Sequence, residues 1–232
     1  MEFDRYRDSY REEVEDAIAF GGADADFYTE AKATQLVDVA NRALGDASRL
    51  RVLDAGCGPG VTDTFLRGSF AELTGVDTSQ AMIEAARERN PWASYREVTA
   101  GERLPFDDGA FDLSFAICVL HHVEPPDRDA FVAELARVTA PQGLVVIFEH
   151  NPANPGTRKV VRDCTFDEGV QLLPMRETRS LLAERGLRPV EKRFILVFPW
   201  RGRALRGIER GLARLPIGAQ YYVAGSPPPA AV

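Results

Sequence analysis

The chain has 232 residues, of which 45% are hydrophobic and 27% are charged, and it carries a formal net charge of −7 at pH 7. This length accommodates one α/β domain with a substantial core, while the acidic balance argues against nucleic-acid binding, which needs clustered lysine and arginine. No apolar run reaches the roughly 18 residues of a membrane span, and the N-terminus lacks the apolar core of a secretion signal, so we expect a cytoplasmic protein with no membrane partner.

The cysteines do not predict a disulfide framework or a zinc site. Cys57, Cys118 and Cys164 are odd in number and have no C-x-x-C spacing. We therefore expect free thiols and no bound metal.

Residues 1–44 are helical in pattern and rich in aromatic side chains. Two interpretations stay open: the aromatic rings pack these helices onto the sheet, or they form a lid over a ligand. We predict an N-terminal helical cap or lid at 1–44, a main α/β domain at 45–226 and a flexible tail at 227–232. In the lid interpretation, Tyr6, Tyr10 and Tyr28 contact the substrate.

The main domain begins with an alternation of strands and helices. "RLRVLDAG" predicts a buried strand that enters a glycine turn, and "TDTFLRGSF" predicts the first crossover helix. "AELTGVD" predicts a second strand, "QAMIEAARERN" a helix capped by Ser79, and "SYREVTA" a short third strand. This order is typical of one half of a doubly wound Rossmann-like sheet.

The second half continues the alternation. "FDLSFAICVL" is almost continuously apolar and predicts a central parallel strand, followed by a helix over "PDRDAFVAELARVTA" and a strand over "LVVIFEH". After an irregular region, "RETRSLLAERG" predicts a helix, "EKRFILVFP" a strand, "RALRGIERGLARL" a helix and "GAQYYVAG" the last strand.

The glycine turn "VLDAGCGPG" is the first functional signal. A strand, a glycine turn, a helix and an acid at the end of the next strand form the layout of nucleoside-cofactor sites. Gly56 and Gly58 would admit the ligand close to the backbone, and Asp77 could accept hydrogen bonds from a ribose diol. Asp54 would repel a pyrophosphate but would attract an ammonium group, which favours S-adenosyl-L-methionine over a dinucleotide.

The motifs "VLDAGCGPG", "GVDTSQAMIEAAR", "ERLPFDDGAFDLSF", "VLHHV" and "RVTAPQG" cover residues 50–150 in order. With them the sequence resembles the class I S-adenosylmethionine-dependent methyltransferases, in the branch called methyltransferase type 11. The resemblance implies an α/β, doubly wound, seven-stranded sheet that is mostly parallel, with a C-terminal antiparallel hairpin. It also implies methyl transfer to an oxygen, nitrogen or carbon atom of a small-molecule acceptor, in natural-product, sugar or quinone-type tailoring.

The resemblance also assigns the cofactor contacts. Asp54, Gly56 and Gly58 would line the methionine half of the cofactor, Asp77 would hold the ribose, and Thr78 and Met82 would pack beside the adenine. Many relatives place an acid just before "LPF", where this chain has Ala100 and Gly101. We expect a backbone group there, or Glu102, to take the adenine contact, and we expect Cys118 to border the cofactor.

The acceptor end is predicted to lie beyond the strand ends that face the ligand. His121 and His122 follow the fourth strand, and Glu149 and His150 follow the fifth. If the acceptor must lose a proton, His150 is our candidate general base, with Glu149 and His121 as the other catalytic candidates. His122 and Arg158 are predicted substrate contacts, Arg158 with Lys159 as an anion-binding pair in the proline-containing region after the fifth strand.

Two other functions remain compatible with this layout. A non-catalytic protein could keep the cofactor fold while its acceptor pocket is closed or occupied by a partner. An NAD-dependent oxidoreductase shares the strand, turn and acid, but its G-x-G-x-x-G spacing is missing here. The sequence leaves the acceptor, the methylated atom and the oligomeric state open.

Overall fold

The computed structural model describes residues 10–18, 24–198, 208–209 and 211–229. The strands are β1 (Arg51–Ala55), β2 (Glu72–Asp77), β3 (Ser94–Glu97), β4 (Phe111–Ile117), β5 (Thr139–His150), β6 (Arg188–Ile195) and β7 (Gln220–Ser226). The α-helices are α1 (Tyr10–Ile18), α2 (Ala25–Leu44), α3 (Val61–Thr64), α4 (Gln80–Arg89), α5 (Arg128–Val138), α6 (Pro155–Asp163) and α7 (Met175–Glu184).

The strands form one seven-stranded sheet in the order β3-β2-β1-β4-β5-β7-β6. Strands β1 to β5 pair in parallel, whereas β7 pairs antiparallel with both β5 and β6. The predicted fold class, including the C-terminal antiparallel hairpin, is confirmed. Because chain order reverses between β1 and β4, a crevice opens beyond their carboxyl ends, and ligands of doubly wound folds bind there.

Helices cover both faces of the sheet, which explains the apolar strand sequences. Leu36 and Val39 of α2 are fully buried on one face with Val52 and Phe148. The other face packs against α5 and α7, with Leu135 among its fully buried residues. Burial of an aliphatic side chain of this size contributes roughly 1.5–3 kcal/mol, so these two layers fix the strand ends that carry the site.

Local signals position the helices around the crevice. Ser79 caps α4, since its hydroxyl accepts from the backbone N–H of Met82 at 3.2 Å. The predicted crossover helix at 62–70 is wrong in length, because α3 has only 4 residues. The chain then turns through 3₁₀-type bonds, and Gly68 adopts a φ of 75°, which ends regular helix.

Three predictions concern the chain ends. The helix over 203–215 lies largely outside the described residues. The tail at 227–232 is described only to residue 229, and Pro227 within it is buried and accepts from the Gln142 backbone at 3.3 Å. The cap at 1–44 contains α1 and α2 and stays a prediction as a lid. Within the described parts of the chain, no helix combines the length and apolarity needed to cross a membrane.

Candidate cofactor and acceptor site

A cavity of about 1190 Å³ lies beyond the carboxyl ends of the central strands. Typical small-molecule pockets hold about 300–1,000 Å³, so this volume has room for a nucleoside cofactor and a second ligand. All the residues that the resemblance assigns to the cofactor line it: Asp54, Gly56, Gly58, Asp77, Thr78, Met82, Ala100, Gly101, Glu102 and Cys118.

The glycine turn after β1 has the left-handed backbone that glycine favours. Gly56 has a φ of 83°, and a Cβ atom there would lie 2.5 Å from the side chain of Val119. Gly58 has a φ of 51° with open space where its Cβ would project, and its N–H donates to Asp77 Oδ2 at 2.9 Å. The turn therefore exposes backbone to the cavity while the carboxylate of Asp77 holds it at the end of β2.

The surroundings of Asp54 fit the binding of an ammonium group. Its side chain is buried, and its Oδ1 has no partner among the described residues other than the carboxyl of Asp63, with which it can share a proton. Burial, and then the charge of Asp63, raise the pKa of Asp54 well above its ordinary value. A buried carboxylate at the cavity wall whose oxygen meets only another carboxyl is a site that a cationic ligand would complete.

Asp63 lies behind Asp54 and was not predicted to take part. It is fully buried in α3, and the hydroxyl of Tyr95 donates to its Oδ2 at 2.7 Å. Burial raises the pKa of Asp63 to about 6, although the hydrogen bond from Tyr95 acts in the opposite direction. The two aspartates therefore form an interacting acidic pair at the predicted methionine end of the site.

The adenine end is built from backbone and apolar groups. Met82 is buried at the start of α4 and lines the cavity with Thr78. Ala100, Gly101 and Glu102 border the cavity on its exposed side, where relatives carry an acid. Whether a backbone group or Glu102 contacts the adenine stays a prediction.

All three histidines of the chain meet at the other end of the cavity. His121 Nδ1 lies 2.6 Å from Glu149 Oε2, and its Nε2 lies 3.5 Å from Asp167 Oδ1. His122 Nε2 lies 3.2 Å from the same oxygen of Asp167. The ring centroids of His121 and His150 are 5.2 Å apart. We call His121, His122, His150, Glu149 and Asp167 the histidine cluster.

The carboxylates set the charge of His121. Burial alone would lower its pKa, but the charge of Glu149 and the hydrogen bonds with Asp167 and Glu149 raise it to about 9. Burial by itself would raise the pKa values of Glu149 and Asp167. Interactions with His121 hold both values below the ordinary range, and a hydrogen bond with His122 also lowers the pKa of Asp167. Both acids are therefore ionised at neutral pH.

His150 has a different environment at the end of β5. Burial, and then the charge of His121, lower the pKa of His150 to about 4. Its Nδ1 lies 3.3 Å from Gln220 Nε2, and the same amide nitrogen donates to Cys118 Sγ at 3.4 Å. Cys118 has a φ of 58°, unusual for a residue with a side chain, and burial raises the pKa of its thiol to about 12.

Some of the predicted catalytic and substrate residues line the cavity and others do not. His121, His122, His150 and Tyr28 line the cavity. Glu149, a predicted catalytic residue, has a 0% exposed side chain that contacts His121 and does not line the cavity. Its role in catalysis stays a prediction.

The structure does not bring the predicted anion-binding pair into the cavity. Arg158 and Lys159 are exposed and lie outside the cavity lining, because α6 turns Thr157 and Val160 toward the cavity and these two side chains away. Lys159 forms an ion pair with Asp163. Tyr6 lies outside the described residues, as does the side chain of Tyr10.

The sequence analysis did not single out three residues that line the cavity, Lys32, Asp167 and Gln220, nor Asp63, which lies beside Asp54 outside the lining. Asp63 could have been noticed as an acid in the first turn after the glycine loop. Asp167 lies in the irregular region after the fifth strand, but nothing in its local sequence distinguishes it from a surface acid. Lys32 and Gln220 carry no local signal, because only long-range packing brings them to the cavity.

Comparison with known proteins agrees with this geometry. Residues 53–147 match the family described as "Methyltransferase domain". This stretch of the chain is therefore similar to a methyltransferase domain. The chain is 33% identical over 114 residues to a ubiquinone biosynthesis O-methyltransferase of Alkalilimnicola ehrlichii, an alignment that covers 47% of this chain and 45% of that protein.

Solved structures of methyltransferases resemble this chain in fold over more of its length. An S-adenosylmethionine-dependent methyltransferase of Thermotoga maritima has a TM-score of 0.66 at 18% identity and covers 97% of both chains. The geranyl diphosphate C-methyltransferase of Streptomyces coelicolor, solved with Mg²⁺, geranyl diphosphate and S-adenosyl-L-homocysteine, has a TM-score of 0.59 at 21% identity and covers 83% of this chain and 78% of that one. The chain spans about half the length of the curated relatives that it matches, as with 45% of the ubiquinone enzyme.

Proposed function

We propose that this protein transfers the methyl group of S-adenosyl-L-methionine to a small-molecule acceptor. One observation carries the proposal: a single cavity joins the complete set of cofactor residues at the ends of β1 and β2 to the histidine cluster at the ends of β4 and β5. The cofactor and a second ligand would therefore meet within one enclosed site.

The residues at the methionine and ribose end fit the cofactor. The buried carboxyl of Asp54, whose Oδ1 contacts no donor other than the carboxyl of Asp63, suits the ammonium group of the cofactor. Asp77, fixed by the N–H groups of Gly58 and Ser79 at 2.9 Å, would present a carboxylate to the ribose diol. When bound, the cofactor supplies an electrophilic methyl group on a sulfonium. The chain's task is then to align the acceptor, which can provide most of the rate acceleration.

The histidine cluster would hold the reacting group of the acceptor. Glu149 and Asp167 contact the two ring nitrogens of His121, so the orientation of this ring is fixed before the acceptor binds. His150 borders the same space, and as a neutral imidazole it could accept a proton from a hydroxyl or an amine. The apolar wall made by α1 and α2, with Ala17, Ile18 and Tyr28, would receive the body of the acceptor.

The first experiment is calorimetry with S-adenosyl-L-homocysteine, followed by methyl transfer from methyl-labelled cofactor to pooled small molecules. We include phenols, carboxylic acids and amines, and use Asp77→Ala as the negative control. Binding with transfer of label supports the proposal. Binding without transfer to any pool would favour the non-catalytic alternative, and binding of NAD but not of S-adenosyl-L-homocysteine would favour the oxidoreductase.

A further inference from the structure

The histidine cluster contains a group of metal-ligand types that the sequence spacing did not predict. His121, His150 and Asp167 each offer one ligand atom, and these atoms all lie within 4.8 Å of one another. They come from three separate segments: the loop after β4, the end of β5 and the 3₁₀ turn after α6. We propose that His121, His150 and Asp167 bind a divalent transition-metal ion at the acceptor end of the cavity.

The ligand distances suit such an ion. Zinc bonds to histidine nitrogen and carboxylate oxygen are about 2.0–2.2 Å long, so two ligands of a tetrahedral ion are separated by roughly 3.4 Å. His121 Nε2 and Asp167 Oδ1 are 3.5 Å apart. An ion could therefore lie between these atoms with little movement of either side chain. His122 Nε2, 3.2 Å from the same oxygen, can become a further ligand or hold Asp167 in place.

His121 and His150 have surroundings similar to those of metal-binding histidines. Such a histidine usually donates the N–H of its second ring nitrogen to a carboxylate or a carbonyl. The Nδ1 of His121 faces Glu149 Oε2 at 2.6 Å, so Nε2 is the nitrogen that points into the cavity. Beside His150, a 180° rotation of the Gln220 amide would bring its Oε1, unpartnered among the described residues, to Nδ1.

Charge balance also favours a divalent cation. Two carboxylates, Glu149 and Asp167, have side chains only 0% and 5% exposed, and such charges are costly without compensation. The ion pairs with His121 compensate part of this cost, and a divalent ion bound by neutral imidazoles would compensate both acids. Within the described chain, Lys32 lines the cavity but forms no ion pair with either acid.

The ligand types select the class of ion. Imidazole nitrogen suits zinc, iron, nickel and copper, whereas Mg²⁺ prefers sites made of oxygen ligands. His121, His150 and Asp167 all line the cavity, so the remaining coordination positions would face the acceptor. An ion there would polarise an acceptor hydroxyl, and His150 would act as a ligand instead of a base. Only this last role rests on the proposed function.

The test uses the full-length protein without a histidine tag, stripped with a chelator. Zn²⁺ affinity is measured by competition with a chromophoric chelator, and Co²⁺ is added separately to record its visible absorption. We expect one ion per chain. Asp167→Asn and His121→Gln should each weaken Zn²⁺ binding at least about 100-fold, and Glu149→Gln, which leaves the ligands in place, about 10–100-fold. Asp163→Asn, an acid on α6 outside the cavity lining, should change nothing.

Binding of S-adenosyl-L-homocysteine, measured without metal on every variant, shows that each one is folded and tests the cofactor site separately. Absence of stoichiometric Zn²⁺ binding, or equal affinity in Asp167→Asn and the unmodified protein, would overturn the metal site. Normal cofactor binding beside that result would leave the proposed methyl transfer standing. Zn²⁺ binding without any cofactor binding would instead overturn the methyl transfer and support the metal site.

Discussion

The carboxylate of Asp77 accepts the backbone N–H of Gly58 at 2.9 Å, which ties the glycine turn after β1 to the end of β2. The second oxygen of Asp77 accepts from the backbone of Ser79, also at 2.9 Å. One side chain therefore shapes the turn, orders the start of α4 and faces the cavity where the ribose is expected.

Asp77→Ala should weaken the binding of S-adenosyl-L-homocysteine. Loss of a carboxylate that pairs with buried donors costs roughly 1–3 kcal/mol, or about 5–150-fold in affinity. Calorimetry measures the effect, with Glu97→Ala as the control, since Glu97 pairs in register with Asp77 on β3 and lies outside the cavity lining. Equal affinity in the two variants would remove the ribose assignment.

Cofactor affinity should increase as the pH rises from about 5 to about 7. The pKa of Asp63 is raised to about 6 and that of Asp54 is also raised well above its ordinary value, so the free pair holds protons that an ammonium ligand must displace. The bound state favours the ionised carboxylate, and affinity therefore falls when the pH drops through this range. Asp77 and Cys57 face the same pair, and Tyr95 donates to it.

The measurement is calorimetry with S-adenosyl-L-homocysteine between pH 5 and pH 8, repeated with Asp63→Asn. Removing the neighbouring charge should lower the pKa of Asp54 and move the rise in affinity to lower pH. An affinity that stays constant, or that increases on acidification, would contradict the role of the aspartate pair.

Cofactor binding should slow amide hydrogen exchange in α1 and in the first half of α2 if these helices form a lid. Val14, Ala17 and Ile18 of α1 and Tyr28 of α2 line the cavity, so a bound ligand would add contacts to both helices. Exchange in α7 is the internal control, because the cavity lining includes no residue of that helix. Identical exchange in α1 with and without saturating ligand would exclude the lid.

His150→Ala should lower the rate of methyl transfer while cofactor affinity stays unchanged. Loss of a general base typically costs about 100-fold to 10,000-fold, and loss of a metal ligand would also reduce the rate. Single-turnover transfer to an acceptor found in the screen measures the effect, with and without chelator. A variant with nearly full activity in both conditions would show that alignment by the remaining groups suffices.

Tyr221→Phe should destabilise the fold by roughly 1–3 kcal/mol, because it leaves two buried groups without a partner. The Tyr221 hydroxyl lies 2.7 Å from Thr178 Oγ1 and donates to the carbonyl of Leu173 at 2.7 Å, joining β7 to α7. Urea denaturation measures the loss. Tyr222→Phe is the matched control, since its partners Glu191 and Arg42 are partly solvated, and we expect a smaller loss there. Equal losses would contradict this account.

The sequence by itself determined the sheet and the glycine turn that borders the cavity at the predicted cofactor end. Residues 52–60 and Asp77 act through local backbone geometry, since a buried strand followed by glycines with positive φ exposes N–H groups wherever the strand ends. The strands are apolar and alternate with helices along the chain. This pattern favours one arrangement, in which helices bury both faces of the sheet. These features depend on neighbours along the chain, so they can be recognised from local patterns.

Only the tertiary structure decided the acceptor half. Asp167 reaches His121 because α6 and the turn after it fold back over the ends of β4 and β5, and Asp63 lies beside Asp54 because the short α3 directly follows the glycine turn. Arg158 is directed outward on α6, whereas the 3₁₀ turn after that helix brings Asp167 inward. A side chain's partners across such distances depend on how elements pack, and a local sequence pattern does not record that packing.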